Sequence, residues 1–252
     1  MYFESHAHYD DKQFNEDRDL LLSDFKNKGI STVVNIGIDI KSSKKSIEFA
    51  EKYDFVYATI GVHPHNAKEI KQGDYLILEN LLKHKKVVAV GEVGLDFHYD
   101  LSPRDVQLDV FKKHLKLSEA SGLPVVIHSR EASQMVFDTI KKSNVRKGVI
   151  HAYSGSLEMA REYIKMGYYI GVGGVITFKN AKSLVEVVEG IGLENILIET
   201  DSPYLTPVPF RGKRNNSEYL KYVVEKIAEI KNVSQEEVCV ATTQNARCLF
   251  NI

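Results

Sequence analysis

Histidine and acidic side chains recur at one kind of place in this chain, at or next to the end of a short apolar run. Six residues share that position: His6, His8, Glu92, His128, His151 and Asp201. A lone histidine there is more often a hydrogen-bonded structural residue, and a single His-x-His pair is also a weak signal. The joint pattern carries more weight, because each unsatisfied buried polar group costs about 1–3 kcal/mol and a cation satisfies several at once. The set therefore predicts one or two bound divalent cations, with His6 and His8 on the same face of their strand.

The ligand types restrict which metals fit and what those metals would do. Imidazole together with carboxylate suits Zn²⁺, Mn²⁺, iron or Mg²⁺, and no thiolate belongs to the set. Six ligands around a central Glu92 favour two cations about 3.5–4 Å apart, bridged by that carboxylate, which lower the pKa of a shared water and stabilise a phosphoryl group. Asp201 is then expected to bind one cation and to hold or deprotonate the water, so Asp201 and Glu92 are the predicted catalytic residues. We expect Mg²⁺ or Mn²⁺, with Zn²⁺ as the alternative.

Eight apolar runs rich in Val and Ile must position these side chains, and they read as parallel strands buried on both faces. The predicted strands are Tyr2–His6, Thr32–Ile38, Val56–Val62, Val87–Val93, Pro124–His128, Lys147–His151, Tyr169–Val172 and Asn195–Asp201. Segments with helical spacing separate them, and Gly29, Gly122 and Gly167 each stand where a helix ends before a strand. The alternation predicts an α/β fold, a (β/α)₈ TIM barrel in a single domain over residues 1–252. A doubly wound open sheet is the competing fold, but no glycine-rich phosphate loop follows the first strand.

Composition excludes several classes of protein. Hydrophobic residues make up 43% and charged residues 27%, so the chain affords a core and is neither disordered nor a disulfide scaffold. The net charge of -1 means that any nucleic acid must be held by a local site rather than by a global positive field. Cys239 and Cys248 have neither a disulfide nor a metal spacing, which fits a reducing compartment. With no signal peptide and no long apolar run, we expect a soluble cytoplasmic protein without a membrane partner.

Nine short segments along almost the whole chain carry a family resemblance. In order they read SHAHYDD, GVHPH, GEVGLDFHYD, SPRDVQ, PVVIHSREA, HAYSG, GVGG, IETDSPYL and PFRGKRN. The sequence thereby resembles the TatD family of metal-dependent deoxyribonucleases, within the amidohydrolase superfamily. The resemblance implies that His6 and His8 hold one metal ion, that His128 and His151 hold the other and that Glu92 bridges them. It also implies that Asp201 is the remaining ligand and activates water.

The same resemblance supplies the expected substrate, which is DNA, with RNA as an alternative. It implies a phosphodiesterase that trims DNA as a 3′–5′ exonuclease, with His63 contacting the scissile phosphate. We also expect His65 and Arg130 at the substrate, although His65 equally fits a role in supporting its loop and Arg130 a pairing with a carboxylate. A metal-activated water can also attack a carbonyl, so a carboxylic ester, lactone or aminoacyl-tRNA ester is the alternative substrate. A non-enzymatic metal-binding scaffold is the third hypothesis.

Weaker expectations concern the residues around this set. Asp96 and Glu199 are predicted to orient ligand imidazoles, and Tyr99 and Tyr204 lie near the predicted mouth. Arg211, Lys213 and Arg214 either track a nucleic-acid backbone or form a solvated basic loop. His84, His98 and His114 are assigned surface or packing roles. The loop continues as Arg214-Asn215-Asn216-Ser217, where the family typically has Arg-Asn-Glu-Pro, so the missing proline predicts a looser loop.

Overall fold

The eight predicted strands are all present in the computed structural model, which describes residues 1–252. They are Tyr2–Ala7 (β1), Ile30–Asn35 (β2), Val56–Ile60 (β3), Val87–Asp96 (β4), Val125–Arg130 (β5), Gly148–Ile150 (β6), Tyr168–Val172 (β7) and Ile196–Ile198 (β8). Neighbouring strands pair in parallel and in chain order from β1 to β8. A bridge between Ala7 and Ser202 joins the last strand's continuation to the first, so the sheet closes. The prediction of a (β/α)₈ barrel is confirmed.

Nine α-helices accompany the strands, eight of them following one strand each. They are Arg18–Asp24 (α1), Ile40–Lys52 (α2), Asp74–Leu81 (α3), Arg104–Ser121 (α4), Ser133–Lys141 (α5), Leu157–Lys165 (α6), Lys182–Gly190 (α7), Leu220–Lys231 (α8) and Gln235–Phe250 (α9). Gly122 ends α4 with φ 71°, and Ser234 with Glu237 forms the capping box that begins α9. None of these helices has both the length and the apolar stretch that crossing a bilayer requires.

The core has two layers, as a barrel surrounded by helices requires. The larger cluster packs the helices onto the outside of the strands. The smaller cluster joins side chains of six strands to the last turns of α9: Phe3, Val34, Ile36, Val88, Ala89, Val126, Val149, Leu197, Ala246, Leu249 and Phe250. Asn245 on α9 donates hydrogen bonds to the carbonyl of Leu193, just before β8, and to the carbonyl of Ile196, the first residue of β8. Helix α9 therefore covers the amino end of the barrel and leaves the carboxyl end open.

The strand ends differ from the prediction where the chemistry lies. Glu92 does not end β4 but lies within it, because the strand continues to Asp96. Strand β8 stops at Ile198, and Asp201 follows three residues later with a left-handed backbone, φ 56°. A residue with this backbone conformation cannot continue a β-strand. The Asp201 N–H nevertheless donates to the His6 carbonyl at 2.9 Å. Asp201 is therefore attached to β1 rather than carried on a strand of its own.

Candidate active site

The carboxylate of Glu92 lies at the centre of the open end, and histidines approach both of its oxygens. Nε2 of His6 and of His8 lie 3.4 and 3.8 Å from Oε2. On the other side, Nδ1 of His128 lies 3.0 Å and Nε2 of His151 4.0 Å from Oε1. Glu92 is only 4% exposed, so these groups meet in an environment that is largely shielded from solvent. One carboxylate with a histidine pair at each oxygen is the arrangement that a bridging ligand between two cations requires.

Asp201 completes this cluster from the β8 side. Its Oδ1 lies 3.4 Å from Nε2 of His8, 3.6 Å from Nε2 of His6 and 3.7 Å from Nε2 of His151. Its side chain is 17% exposed against 4% for Glu92, so it is the carboxylate nearer to solvent. The six residues predicted as ligands are thus brought together at the carboxyl ends of the strands.

Two further carboxylates support the histidines from behind. Oδ2 of Asp96 lies 3.0 Å from Nε2 of His128 and 2.9 Å from Nε2 of His65. Oε1 of Glu199 lies 2.9 Å from Nδ1 of His151, as an ion pair that is not aligned as a hydrogen bond. For His128 and His151 one ring nitrogen faces a supporting carboxylate, and the other faces Glu92 or Asp201.

Glycines allow these strands to approach one another at the site. Gly94 on β4 has φ 143°, and a Cβ there would lie 1.9 Å from the backbone oxygen of His128. Gly171 on β7 leaves room for the Glu199 carboxylate, which would lie 2.8 Å from a Cβ at that position. The sequence GEVGLD therefore combines the central carboxylate with the glycine that lets β5 lie beside it.

His63 lies in the same cluster, yet its ring nitrogens have different partners from those of His128. It caps the short helical segment Pro64–Glu69, and its Nδ1 accepts the His65 backbone N–H at 3.2 Å. In a neutral imidazole the proton must then be on Nε2, which points at Oε1 of Glu92 from 3.7 Å. An N–H at that position can donate to an anion but has no lone pair for a metal ion.

The charges of the cluster shift the pKa values of its members in opposite directions. Burial alone would raise the pKa of Glu92, but the surrounding histidines lower it well below its ordinary value. The pKa of Asp201 is lowered in the same way, against burial, by His8, His151 and His6. Burial lowers the pKa of His63. For His151 burial acts in the same direction, but Glu199, Asp201 and Glu92 outweigh it and raise the pKa to about 10. Glu92 and Asp201 are therefore ionised at neutral pH.

The donor set fits divalent cations. Nε2 of His6 lies 3.2 Å from Nε2 of His8, so two nitrogen atoms of the same kind face each other beside Glu92. Three groups of ligand atoms are close enough to share an ion: His6, His8 and Glu92; His63, Glu92 and His128; and His6, His151 and Glu199. The Nε2 proton of His63 favours His151 over His63 as the partner of His128. His6, His8, Asp201 and Glu92 would then hold one cation, and Glu92, His128 and His151 the second.

The predicted substrate residues lie around this centre. Nε2 of His65 is bound to Asp96, which leaves only its Nδ1 to meet a ligand. The Arg130 guanidinium is paired with no carboxylate and lies 4.8 Å from the ring centre of Tyr99, a side chain that is 53% exposed. Arg214, in contrast, is held by the Asp17 carboxylate and by the Gln13 carbonyl.

The remaining histidines have the surface and packing roles predicted for them. His84 pairs with Glu51 and His98 with Glu131 at the surface, while His114 is buried on α4. The sequence prediction missed Glu4, which is fully buried on β1 and hydrogen-bonded to Thr200 and Ser217. The sequence contained one signal for it. Glu4 stands two residues before His6, and side chains two positions apart on a strand face the same side.

Hydrogen bonds of Ser217 attach the loop after Arg214, where the family typically has a proline. Ser217 is fully buried, its N–H donates to the Tyr9 hydroxyl and its own hydroxyl donates to Glu4. A proline could make neither hydrogen bond, so the serine attaches the loop by other means.

Comparison with known proteins gives a consistent family. The family model described as "TatD related DNase" matches residues 3–251. The chain is 43% identical to a metal-dependent hydrolase of Bacillus subtilis, YabD, over 100% of both chains. The crystal structure of YjjV, a TatD homologue from Escherichia coli, superposes with a TM-score of 0.94 at 30% identity, over 100% of this chain and 98% of that one. A TatD family hydrolase from Entamoeba histolytica gives a TM-score of 0.88 at 25% identity, covering 99% and 97%. The chain therefore belongs to the TatD family of metal-dependent hydrolases.

Proposed function

We propose that this protein is a metal-dependent deoxyribonuclease that removes nucleotides from the 3′ end of DNA. The observation that carries the hydrolytic part is the convergence of four imidazoles on the Glu92 carboxylate, each within 4.0 Å, with Asp201 within 3.7 Å of three of them. The family model, whose description refers to a DNase, supports the choice of DNA. Of the cations that suit these ligands, Mg²⁺ and Mn²⁺ are the ones we expect, and two are held as described above.

Each group has a distinct task in this proposal. The bound cations supply Lewis acidity that favours ionisation of water and offsets charge on a phosphodiester. Asp201 is ionised and nearer to solvent than Glu92, so it orients the attacking water and accepts its proton. Glu92 is buried and holds the two halves of the ligand set together. His63 donates from Nε2 to a phosphate oxygen, and its pKa, lowered by burial, keeps the ring neutral with that single proton in place.

The groups at the rim account for substrate binding. Arg130 is free of carboxylate partners and supplies a cation for a phosphate. His65 supports the loop through Asp96 and offers its Nδ1 to the substrate. Of the three basic residues of the loop after β8, Arg211 and Lys213 are exposed, whereas Arg214 is used to hold the loop in place.

The test uses one single-stranded DNA labelled either at the 3′ end or at the 5′ end. Purified protein is incubated with Mg²⁺, with Mn²⁺ or with EDTA, beside the Asp201→Asn variant. We expect immediate release of a labelled mononucleotide from the 3′-labelled strand and a descending ladder from the 5′-labelled strand. EDTA should abolish both, and the variant should lose at least about 10²-fold in rate, since it has no base to accept the proton.

A matched control and a metal measurement make each outcome interpretable. Asp109→Asn removes an exposed carboxylate on α4 that pairs only with Lys113, and it should retain full activity. Isothermal titration with Mn²⁺ establishes that the wild-type protein is loaded. Absence of cleavage by loaded protein would overturn the nuclease proposal, and turnover of a lactone or carboxylic ester by the same preparation would replace it.

A further inference from the structure

Glu4 is a buried carboxylate that the site described above does not use. It lies on β1 with no exposed surface, and no lysine or arginine pairs with it. Its Oε1 accepts the backbone N–H groups of His6 at 3.2 Å and of Thr200 at 2.9 Å. Its Oε2 accepts the hydroxyls of Thr200 at 2.6 Å and of Ser217 at 2.8 Å. Four hydrogen bonds thus take the place of a counter-ion, and a buried carboxylate needs such partners.

Two of these partners belong to the candidate metal site or adjoin it in the chain. His6 is a candidate ligand, and Thr200 immediately precedes the candidate ligand Asp201. Asp201 has φ 56°, a left-handed conformation that is uncommon for a non-glycine residue and persists where neighbours hold it. Its N–H donates to the His6 carbonyl at 2.9 Å, and Thr200 is fixed from behind by Glu4. Glu4 therefore holds both sides of the junction where β8 meets β1.

The third partner connects the same carboxylate to the basic loop. Ser217 stands at the end of the segment 202–217, which contains Arg211 and Lys213. Besides its bond to Glu4, its N–H donates to the Tyr9 hydroxyl at 2.8 Å. Asn215 adds hydrogen bonds from its amide nitrogen to the carbonyls of Thr200, at 2.8 Å, and Tyr204, at 2.6 Å. The base of the loop is thus bound to the residues that hold Asp201.

We propose that Glu4 is a positioning residue that fixes Asp201 and His6 relative to each other and, through Ser217, sets the basic loop relative to the metal ligands. Displacing the carboxylate would therefore change metal affinity. Breaking only the Ser217 branch would change substrate binding. The second consequence rests on the function proposed above, whereas the first concerns metal binding alone.

The test of the first consequence is Mn²⁺ titration of the Glu4→Gln variant by calorimetry. Glutamine keeps the shape, and its Oε1 can still accept the two backbone N–H groups, but its NH₂ group then faces the Thr200 and Ser217 hydroxyls, which must rotate and accept where they now donate. We expect the Kd for Mn²⁺ to rise 10–100-fold, the range measured when groups behind metal ligands are removed. Ser118→Ala is the matched control, because it deletes a buried hydroxyl bond to the Leu123 carbonyl at the opposite end of the barrel. The control should lose stability without any change in Mn²⁺ affinity.

Thr200→Val is the second variant, used if Glu4→Gln does not fold. It keeps the shape of the side chain while removing the hydroxyl that Glu4 accepts, and it should raise the Kd for Mn²⁺ at least threefold. A Kd within twofold of the wild-type value in the folded variant would overturn the proposal. An equal change in Ser118→Ala would also overturn it, since the effect would then be one of general stability.

The Ser217 branch is tested by steady-state kinetics on single-stranded DNA. Ser217→Ala and Ser217→Pro both lose the hydroxyl, and the proline also loses the N–H that Tyr9 accepts. Ser217 is the first residue of a short helical segment, where proline is tolerated. We expect KM to rise three- to tenfold, more in the proline variant, with kcat and Mn²⁺ affinity nearly unchanged. An unchanged KM, or a fall in kcat alone, would remove the loop from the proposal. Inactive wild-type protein would instead overturn the proposed function and leave the Mn²⁺ titration to decide the role of Glu4.

Discussion

His63 and His128 approach the same oxygen of Glu92, at 3.7 and 3.0 Å, but their surroundings assign them different chemistry. Nδ1 of His63 accepts a backbone N–H, so its proton is on the nitrogen that faces Glu92. Nε2 of His128 faces Asp96, so that carboxylate favours the proton there and leaves Nδ1 free towards Glu92. Distance alone would make both residues metal ligands. The partner of the ring nitrogen that faces away from Glu92 distinguishes them: it makes His63 a donor to the substrate and His128 a ligand to the metal.

This difference predicts the behaviour of two alanine variants. His63→Ala should lower kcat on DNA by roughly 10²–10³-fold, the cost of losing one donor aimed at a developing negative charge. Its Kd for Mn²⁺ should stay within a few-fold of the wild-type value, whereas His128→Ala should lose one of the two binding events. Calorimetric titration with Mn²⁺ and single-turnover kinetics measure the two quantities separately.

His84→Ala serves as the control for loss of an imidazole. His84 is paired with Glu51 at the surface, far from the ligand set in the fold, so neither quantity should change. Should His63→Ala lose Mn²⁺ as His128→Ala does, His63 would be a ligand and the position of its proton would have been wrongly inferred.

Residue identity and spacing were sufficient to predict which side chains meet, because chemistry-bearing residues that follow strands gather at one end of a parallel barrel. They could not predict the second contacts of each residue. Glu4 depends on Thr200 and Ser217, which stand 196 and 213 positions away in the chain. Such partners depend on the exact path of a loop, for which the sequence contains no periodic signal.

At the scale of elements, β4 is the strand on which the site depends most. It extends from Val87 to Asp96 and carries both Glu92 and Asp96, with every residue buried. Its register with β5 places Gly94 opposite His128 and Asp96 opposite Arg130. One pair of strands therefore sets the separation between the central carboxylate, a candidate ligand and the carboxylate that supports it.

We expect Gly94→Ala to disrupt this pair. Its φ of 143° is disfavoured for any residue with a Cβ, and the new atom would lie 1.9 Å from the His128 backbone oxygen. The free energy of unfolding should fall by about 3 kcal/mol or more, which corresponds to roughly 6–12 °C in Tm for a chain of this size. Thermal unfolding followed by circular dichroism measures the change.

Gly73→Ala is the matched control for this substitution. Gly73 precedes α3 with φ -69°, and a Cβ there meets no atom within 4 Å. Its Tm should shift by only about 1–3 °C in either direction. Equal stability of the two variants would mean that β4 can move away from β5 and that Gly94 does not set the register.

The existence and order of the strands followed from their runs of Val and Ile, but their ends did not. Burial on both faces requires apolar runs, so the beginnings of β3 and β4 were predicted to the residue. Strand β4 continues through Leu95 to Asp96, a charged residue that a hydropathy pattern interprets as the end of a strand. Asp96 is nevertheless buried in β4, where it is bonded to histidines. Asp201 lies beyond β8 because its left-handed backbone leaves no signature in residue type.

At the scale of the whole molecule, positive and negative charges nearly balance, with 33 Lys and Arg residues against 34 Asp and Glu residues. The net charge is -1, and Arg214 is neutralised locally by Asp17. Arg130 remains available beside Tyr99 at the open end. A molecule of this kind has little general attraction for nucleic acid, so under the proposed function specificity depends on the mouth of the barrel.

The stability of the whole molecule should depend on pH through His114, which lies away from the mouth. It is fully buried on α4, its Nδ1 is bonded to the Val110 carbonyl and its Nε2 has no partner. Burial lowers its pKa from about 6.5 to about 4. The unfolded chain therefore takes up a proton as the pH falls below 6.5, while the folded protein does not until about pH 4. Protonation in this window favours unfolding and should cost the fold roughly 2 kcal/mol by pH 4.5.

The measurement is urea unfolding at pH 7.5 and pH 4.5, with EDTA present so that metal binding does not contribute. His114→Leu keeps an apolar side chain beside Tyr75, whose ring centre lies 5.9 Å from that of His114, and cannot take up a proton. The other titrating groups remain in both proteins, so the difference between them isolates His114. The wild-type protein should lose about 2 kcal/mol more than the variant between the two pH values, because only its unfolded state gains that proton. Equal losses in the two proteins would show that His114 is already protonated, or reachable by water, in the folded barrel.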